Sequence, residues 1–180
     1  ENLATPDADI FPANQIDCNN PTVTVDASNS VLIGNNTTIA WTTINGNILS
    51  GNNSLTPTVN GAGTYTLTLI NQDNGCLDEA SITVFEDTTL PTANAGNDQI
   101  MDCVNVTPFL NGGGSSSGPG ITYQWSTIDG NIVFGANTQT PSIDAGGTYT
   151  ILVTNTNNGC TAEDQVTVTE DNTPPYIEIV

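Results

Sequence analysis

A chain of 180 residues with 19 carboxylates and no Lys, Arg or His has nothing with which to neutralise a phosphate. That excludes nucleic-acid binding and sets the chain against anionic lipid surfaces. It also removes the usual catalytic bases and phosphate clamps, Ser-His-Asp arrangements among them. A carboxylate pair of the glycosidase kind remains chemically available, but the acidic residues sit in turns and joints with no cleft implied, so no enzyme is expected.

Low net hydrophobicity with a net charge of −19 also fits a disordered chain, but the residue pattern argues for folding. In chain order, Thr22–Asp26, Thr37–Thr42, Thr64–Ile70 and Ala80–Phe85 alternate apolar with polar residues and predict strands. Glu86-Asp87-Thr88-Thr89-Leu90-Pro91 then reads as a Pro-stiffened joint. Four more strands are predicted at Thr107–Asn111, Ile121–Ser126, Thr148–Thr154 and Gln165–Thr169, followed by a second joint, Glu170-Asp171-Asn172-Thr173-Pro174-Pro175. Turn clusters such as Gly34-Asn35-Asn36, Gly112-Gly113-Gly114 and Asn157-Asn158-Gly159 separate them. No segment has a helical period, none is apolar enough to span a membrane, and no basic-then-apolar leader opens the chain.

The second half restates the first. Trp41-Thr42-Thr43-Ile44-Asn45-Gly46-Asn47-Ile48 returns as Trp125-Ser126-Thr127-Ile128-Asp129-Gly130-Asn131-Ile132. Gly63-Thr64-Tyr65-Thr66 returns as Gly147-Thr148-Tyr149-Thr150, and Asn74-Gly75-Cys76 as Asn158-Gly159-Cys160. The expected fold is all-β: two tandem immunoglobulin-like sandwiches over residues 1–88 and 89–174. Trp41 and Trp125 belong on the third strand, and Tyr65 and Tyr149 open the sixth as tyrosine corners. These aromatics organise cores and leave few others for stacking against a sugar. Repeated copies read as spacers or polymer units, because an active site is seldom needed twice in a row.

Four cysteines at near-equal spacing, without His and without C-x-x-C, predict disulfides in an oxidising compartment and disfavour zinc. Spacing alone suggests Cys18–Cys76 and Cys103–Cys160. The strand order argues otherwise, because it sets the first cysteine of each unit at one end of the sandwich and the second at the other. In a head-to-tail array Cys18 then pairs with Cys160, leaving Cys76 and Cys103 for neighbouring units or subunits. Both schemes stand on the sequence.

Carboxylates at the joints, Glu86, Asp87, Glu170 and Asp171, with Asp73 and Asp98 in turns, suit calcium by charge and hardness, although no EF-type loop is present. No other cofactor is expected. Asn35, Asn36, Asn52 and Asn105 lie in tracts matching N-x-[ST], as chance provides in a chain rich in Asn and Thr. Residues 175–180 stand where a further unit would begin. Tyr176, Ile177, Ile179 and Val180 form an alternating strand that either starts that unit or adds to the sheet edge of a partner.

Thr122-Tyr123-Gln124-Trp125-Ser126-Thr127-Ile128-Asp129-Gly130-Asn131-Ile132 resembles the PKD/immunoglobulin-like repeats of large Bacteroidetes surface proteins. So do Asp144-Ala145-Gly146-Gly147-Thr148-Tyr149-Thr150 and the opening Ala93-Asn94-Ala95-Gly96-Asn97-Asp98-Gln99. The resemblance covers nearly the whole chain and is looser over residues 1–16. It implies PKD-like sandwiches in a secreted or surface-anchored protein of adhesin or gliding-associated type, often exported by the type IX route, with no catalytic residues. It also implies that Asp87-Thr88-Thr89 is an O-glycosylation acceptor modified at Thr88. The reading is therefore a structural repeat of an extracellular fibre, stalk or filament, partnered head to tail by its own copies. The alternative is an adhesin module with a carbohydrate or cell-surface ligand.

Overall fold

The computed structural model describes residues 3–173, all of whose regular structure is strand. Packing divides the chain into Glu1–Thr88 and Thr89–Val180.

The first unit contains β1 (Ile16–Asp17), β2 (Val23–Thr24), β3 (Thr37–Ile44), β4 (Ile48–Ser50), β5 (Thr58–Val59), β6 (Gly63–Asn71), β7 (Leu77–Val84) and β8 (Glu86–Asp87). One sheet has β6 between β3 and β7, all antiparallel. The other runs β2-β5-β4. β1 and β8 pair in parallel, Ile16 with Glu86 and Asp17 with Asp87. Strand β6 shows why the sandwich forms. Tyr65, Leu67 and Leu69 alternate inward and are fully buried. Thr66 and Thr68 face outward, where Thr66 bonds Ser81 at 2.9 Å and Thr68 donates to Glu79 at 2.7 Å. Val23, Val25 and Val59 join the inward residues in one core, closed by Trp41. Each fully buried Leu or Val contributes about 1.5–3 kcal/mol.

The second unit contains β9 (Gln99–Met101), β10 (Ile121–Thr127), β11 (Ile132–Phe134), β12 (Ser142–Ile143), β13 (Gly147–Asn155) and β14 (Thr161–Glu170). Its main sheet runs β10-β13-β14-β9, with β9 parallel to β14. β11 pairs with β12, and Phe109 bridges to Ser142 on the other side of β12. The core repeats the first unit with Trp125, Tyr149, Ile151, Val153, Val166 and Leu110. Both units are immunoglobulin-like sandwiches.

The long predicted strands are present, and the second strand of each unit is shorter than expected. Thr22–Asp26 contracts to β2, and Thr107–Asn111 to a bridge at Phe109. Pro57, Pro108 and Pro141 lack amide hydrogens, so the ladder there is kept by irregular bonds such as Val25 N–H to the Pro57 carbonyl (3.0 Å) and Leu110 N–H to Pro141 (3.0 Å). The joints also need correction. Glu86–Asp87 is strand β8, and Glu170 is the last residue of β14, so the opening of each expected joint belongs to its sandwich. The expected tail strand, with Tyr176, Ile177, Ile179 and Val180, lies outside the described residues.

Candidate functional site

The repeated aromatics are fold residues. Trp41 Nε1–H donates to the Ser54 carbonyl at 2.8 Å, and Trp125 Nε1–H to Thr138 at 2.9 Å. The Tyr65 hydroxyl donates to the Gly61 carbonyl at 2.6 Å and accepts from the Asn47 amide at 3.0 Å. Tyr149 does the same with Ala145 at 2.5 Å and Asn131 at 3.0 Å. Burial pushes the Tyr149 phenol above its ordinary pKa, against the Asn131 contact and with Asp144, Asp129 and Glu170 adding to the rise. A methyl on Gly46 would run into the Tyr65 hydroxyl, and one on Gly63 into the Gly46 backbone, so the Gly-Thr-Tyr motif is a packing requirement.

The cysteines occupy two kinds of backbone frame, each built once per unit. In the first, an aspartate caps the turn that carries the thiol. Asp17 Oδ1 accepts the Asn19 and Asn20 amides at 2.9 and 2.7 Å around Cys18. Asp102 Oδ1 accepts those of Val104 and Asn105, both at 2.8 Å, around Cys103. In the second, an Asn-Gly turn ends in the cysteine. The Cys76 amide donates to Asn74 Oδ1 at 2.9 Å, and the Asn71 amide donates to the Cys76 carbonyl at 2.8 Å. The Cys160 amide donates to Asn158 Oδ1 at 3.0 Å, and the Asn155 amide to the Cys160 carbonyl at 2.9 Å.

Cys18 and Cys160 are disulfide-bonded, whereas Cys76 and Cys103 are free thiols. The within-unit pairs Cys18–Cys76 and Cys103–Cys160 are therefore absent. The sandwich explains it. Cys160 precedes the first residue of β14, and Cys103 lies just past Met101, which pairs with the last. Ten residues of strand at about 3.3 Å each separate the two by roughly 30 Å, against a limit of ~7 Å for a bridge. Cys76 and Cys18 flank the opposite ends of β7–β8 in the same way.

Among the described residues no group of three or more His, Cys, Asp or Glu is placed to hold a metal. The carboxylates expected to take calcium are met by neighbours. Glu170 accepts from the Gly146 amide at 2.7 Å and from Asn172, which holds its pKa low. The Thr173 side chain and amide do the same for Asp171. Glu86 accepts from the Thr88 hydroxyl at 3.2 Å, and Asp87 pairs through its backbone with Asp17. Asp73 accepts from Asn36 at 2.8 Å, and Asp98 from the Thr167 amide at 2.9 Å. Thr88 and the candidate asparagines Asn35, Asn36, Asn52 and Asn105 are exposed.

Phe11, Phe85, Phe109 and Phe134 are all exposed. Two of them meet in the second unit: the rings of Phe109 and Phe134 lie edge to face, 5.9 Å between centroids at 73°. Both residues pair with Ser142, which is buried. In the first unit Thr24 and Ser50 flank Thr58 at the corresponding positions, so the fold does not need aromatics there.

No family model and no curated protein sequence matches the chain. Among solved structures it is similar to the I67–I69 fragment of the titin I-band, at 14% identity and TM-score 0.44, with 93% of this chain and 66% of that one covered. It is similar to the PKD domain of the KIAA 1837 protein at 21% identity and TM-score 0.37, over 50% of this chain and 97% of that one. Three N-terminal domains of the outer capsid protein Hoc of bacteriophage RB49 share 18% identity at TM-score 0.42, with 92% and 59% covered. The chain thus spans less than two-thirds of the titin and Hoc fragments. These likenesses carry no function to the chain; the sandwich assignment rests on its own strand pairing and cores.

Proposed function

We propose that the chain is a structural repeat segment of an extracellular fibre, stalk or filament, of the kind found in the Bacteroidetes surface proteins that its sequence resembles. The observation that carries this reading is the duplication itself. Each sandwich repeats the same kind of core, a tyrosine corner and a pair of cysteine frames. Neither carries a Lys, Arg or His, and among the described residues no group of three or more Cys, Asp or Glu is placed to hold a metal. In such an array the units set length, the prolines between them set stiffness, and disulfides, which persist in oxidising compartments, prevent unravelling. The partners are further copies. Negative-stain electron microscopy of the purified protein tests this: fibres with a regular axial repeat support it, and a monodisperse monomer at all concentrations would refute it.

The aromatic pair Phe109–Phe134 favours an adhesin module as the second reading, because the equivalent positions of the first unit do without aromatics. Exposed rings stack on the apolar faces of sugars. A glycan array separates the readings: binding by the wild type that disappears in F109T/F134S supports the adhesin, and no binding by either protein refutes it.

A further inference from the structure

The oxidised cysteines are one of each kind, Cys18 in an aspartate-capped turn and Cys160 in an Asn-Gly turn. The free thiols are also one of each kind, Cys103 and Cys76. Their frames carry the same hydrogen bonds, to within a few tenths of an ångström, as the frames that already hold disulfides. Each free thiol is thus held in a backbone built for a bond it has not made. It is also reachable, since Cys103 is exposed and Cys76 half-buried.

We propose that Cys76 of one copy of this chain bonds Cys103 of the next, joining copies head to tail into a covalent polymer. The inference rests on the filament reading and names its linkage. Because the partner sites are unlike, the contact is heterologous, and every added copy presents a fresh thiol to the next. Apolar side chains flank both thiols: Leu77 beside Cys76, and Val104, 93% exposed, beside Cys103. A covalent bond also answers a physical problem. Copies carrying −19 each repel one another, with no cation on either surface to pair across the contact. The chemistry is thiol–disulfide exchange with a low-molecular-weight disulfide. The Cys76 thiolate attacks it and expels one small thiol, and the Cys103 thiolate of the second copy then attacks the mixed disulfide and expels the other. Two S–H bonds become one S–S bond between copies, and the oxidant is reduced to two thiols.

The test is oxidation of the native protein by oxidised glutathione, read on non-reducing gels and by mass mapping. The expected result is a ladder of multiples whose junction peptides link residue 76 to residue 103. It should form faster as salt screens the repulsion. C76S and C103S should each fail to extend beyond dimers, while their mixture should give mixed dimers joined 76–103. Three results would overturn the proposal: glutathionylated monomers with no ladder, a 76–103 bond inside single chains, or junctions as often 76–76 and 103–103 as 76–103. Microscopy of C76S/C103S keeps the two ideas apart. Unchanged fibres from that variant would remove the covalent link and leave the filament reading standing.

Discussion

The Tyr149 hydroxyl donates to the carbonyl oxygen of Ala145, four residues earlier in the chain, from a side chain with no exposed surface. The Tyr149 hydroxyl oxygen in turn accepts the Asn131 amide, so one phenol ties the start of β13 to the turn before β11. Tyr149→Phe should therefore destabilise the second unit by about 1–3 kcal/mol, the cost of leaving buried polar groups without partners. Its pH dependence has a definite sign. The folded pKa lies above the ordinary value of 10.0, so the contribution is whole below pH ~10 and is lost as pH climbs through the raised value. Alkaline titration followed by tyrosinate absorbance and circular dichroism should show ionisation of Tyr149 and loss of the second unit together. A Tyr149 that ionises with its unit intact would contradict this.

Trp125 is 3% exposed, and its indole N–H is spent on Thr138. Trp125→Ala should cost roughly 3–5 kcal/mol, as emptying a large aromatic site does. Urea denaturation should move the transition of the second unit far more than that of the first. A loss below about 1 kcal/mol would place the ring outside the core.

Gly63 lies against the backbone of Ile44 and Gly46, where an added methyl meets main-chain atoms that cannot swing aside. Gly63→Ala should cost about 1–3 kcal/mol in the first unit, the usual range for overpacking, and leave the second unit's melting unchanged. Calorimetry of the variant decides it.

Iodoacetamide applied to the native protein should modify Cys103 fastest and Cys76 more slowly, following their exposure, and spare Cys18 and Cys160 until a reductant is added. Peptide mapping that finds Cys18 or Cys160 alkylated without reduction would overturn the assigned states.

Much of the fold was legible because its long strands announce themselves. β6 and β13 alternate over nine residues each, and the repeated Trp and Gly-Thr-Tyr motifs fix them as matching strands in two units. β1, β2, β5, β8 and β12 hold two residues each, too few for any period to register, and their pairing depends on partners distant in sequence. The cysteine states were half legible. Strand order showed why within-unit pairing was doubtful, while the even spacing pulled the other way. The aromatic pair was not legible, because Phe109 falls in the predicted strand Thr107–Asn111 and Phe134 in no predicted strand. Only the register around Ser142 brings their rings together.

The parallel pairs at the chain ends of each unit have a consequence under tension. In the first unit β1 enters beside the departing β8, and in the second β9 enters beside the departing end of β14. A pull applied to the two ends of such a unit runs along both strands in opposite directions. It loads their hydrogen bonds in shear, so the bonds share the force and must fail together instead of opening one after another. The first unit holds this clamp with two residue pairs, Ile16–Glu86 and Asp17–Asp87. The second holds it with three, from Gln99–Val168 to Met101–Glu170, and the Asp171 amide adds a bond to the Met101 carbonyl at 2.7 Å. For a unit pulled by its own two ends, the force is shared over three residue pairs in the second sandwich and over two in the first.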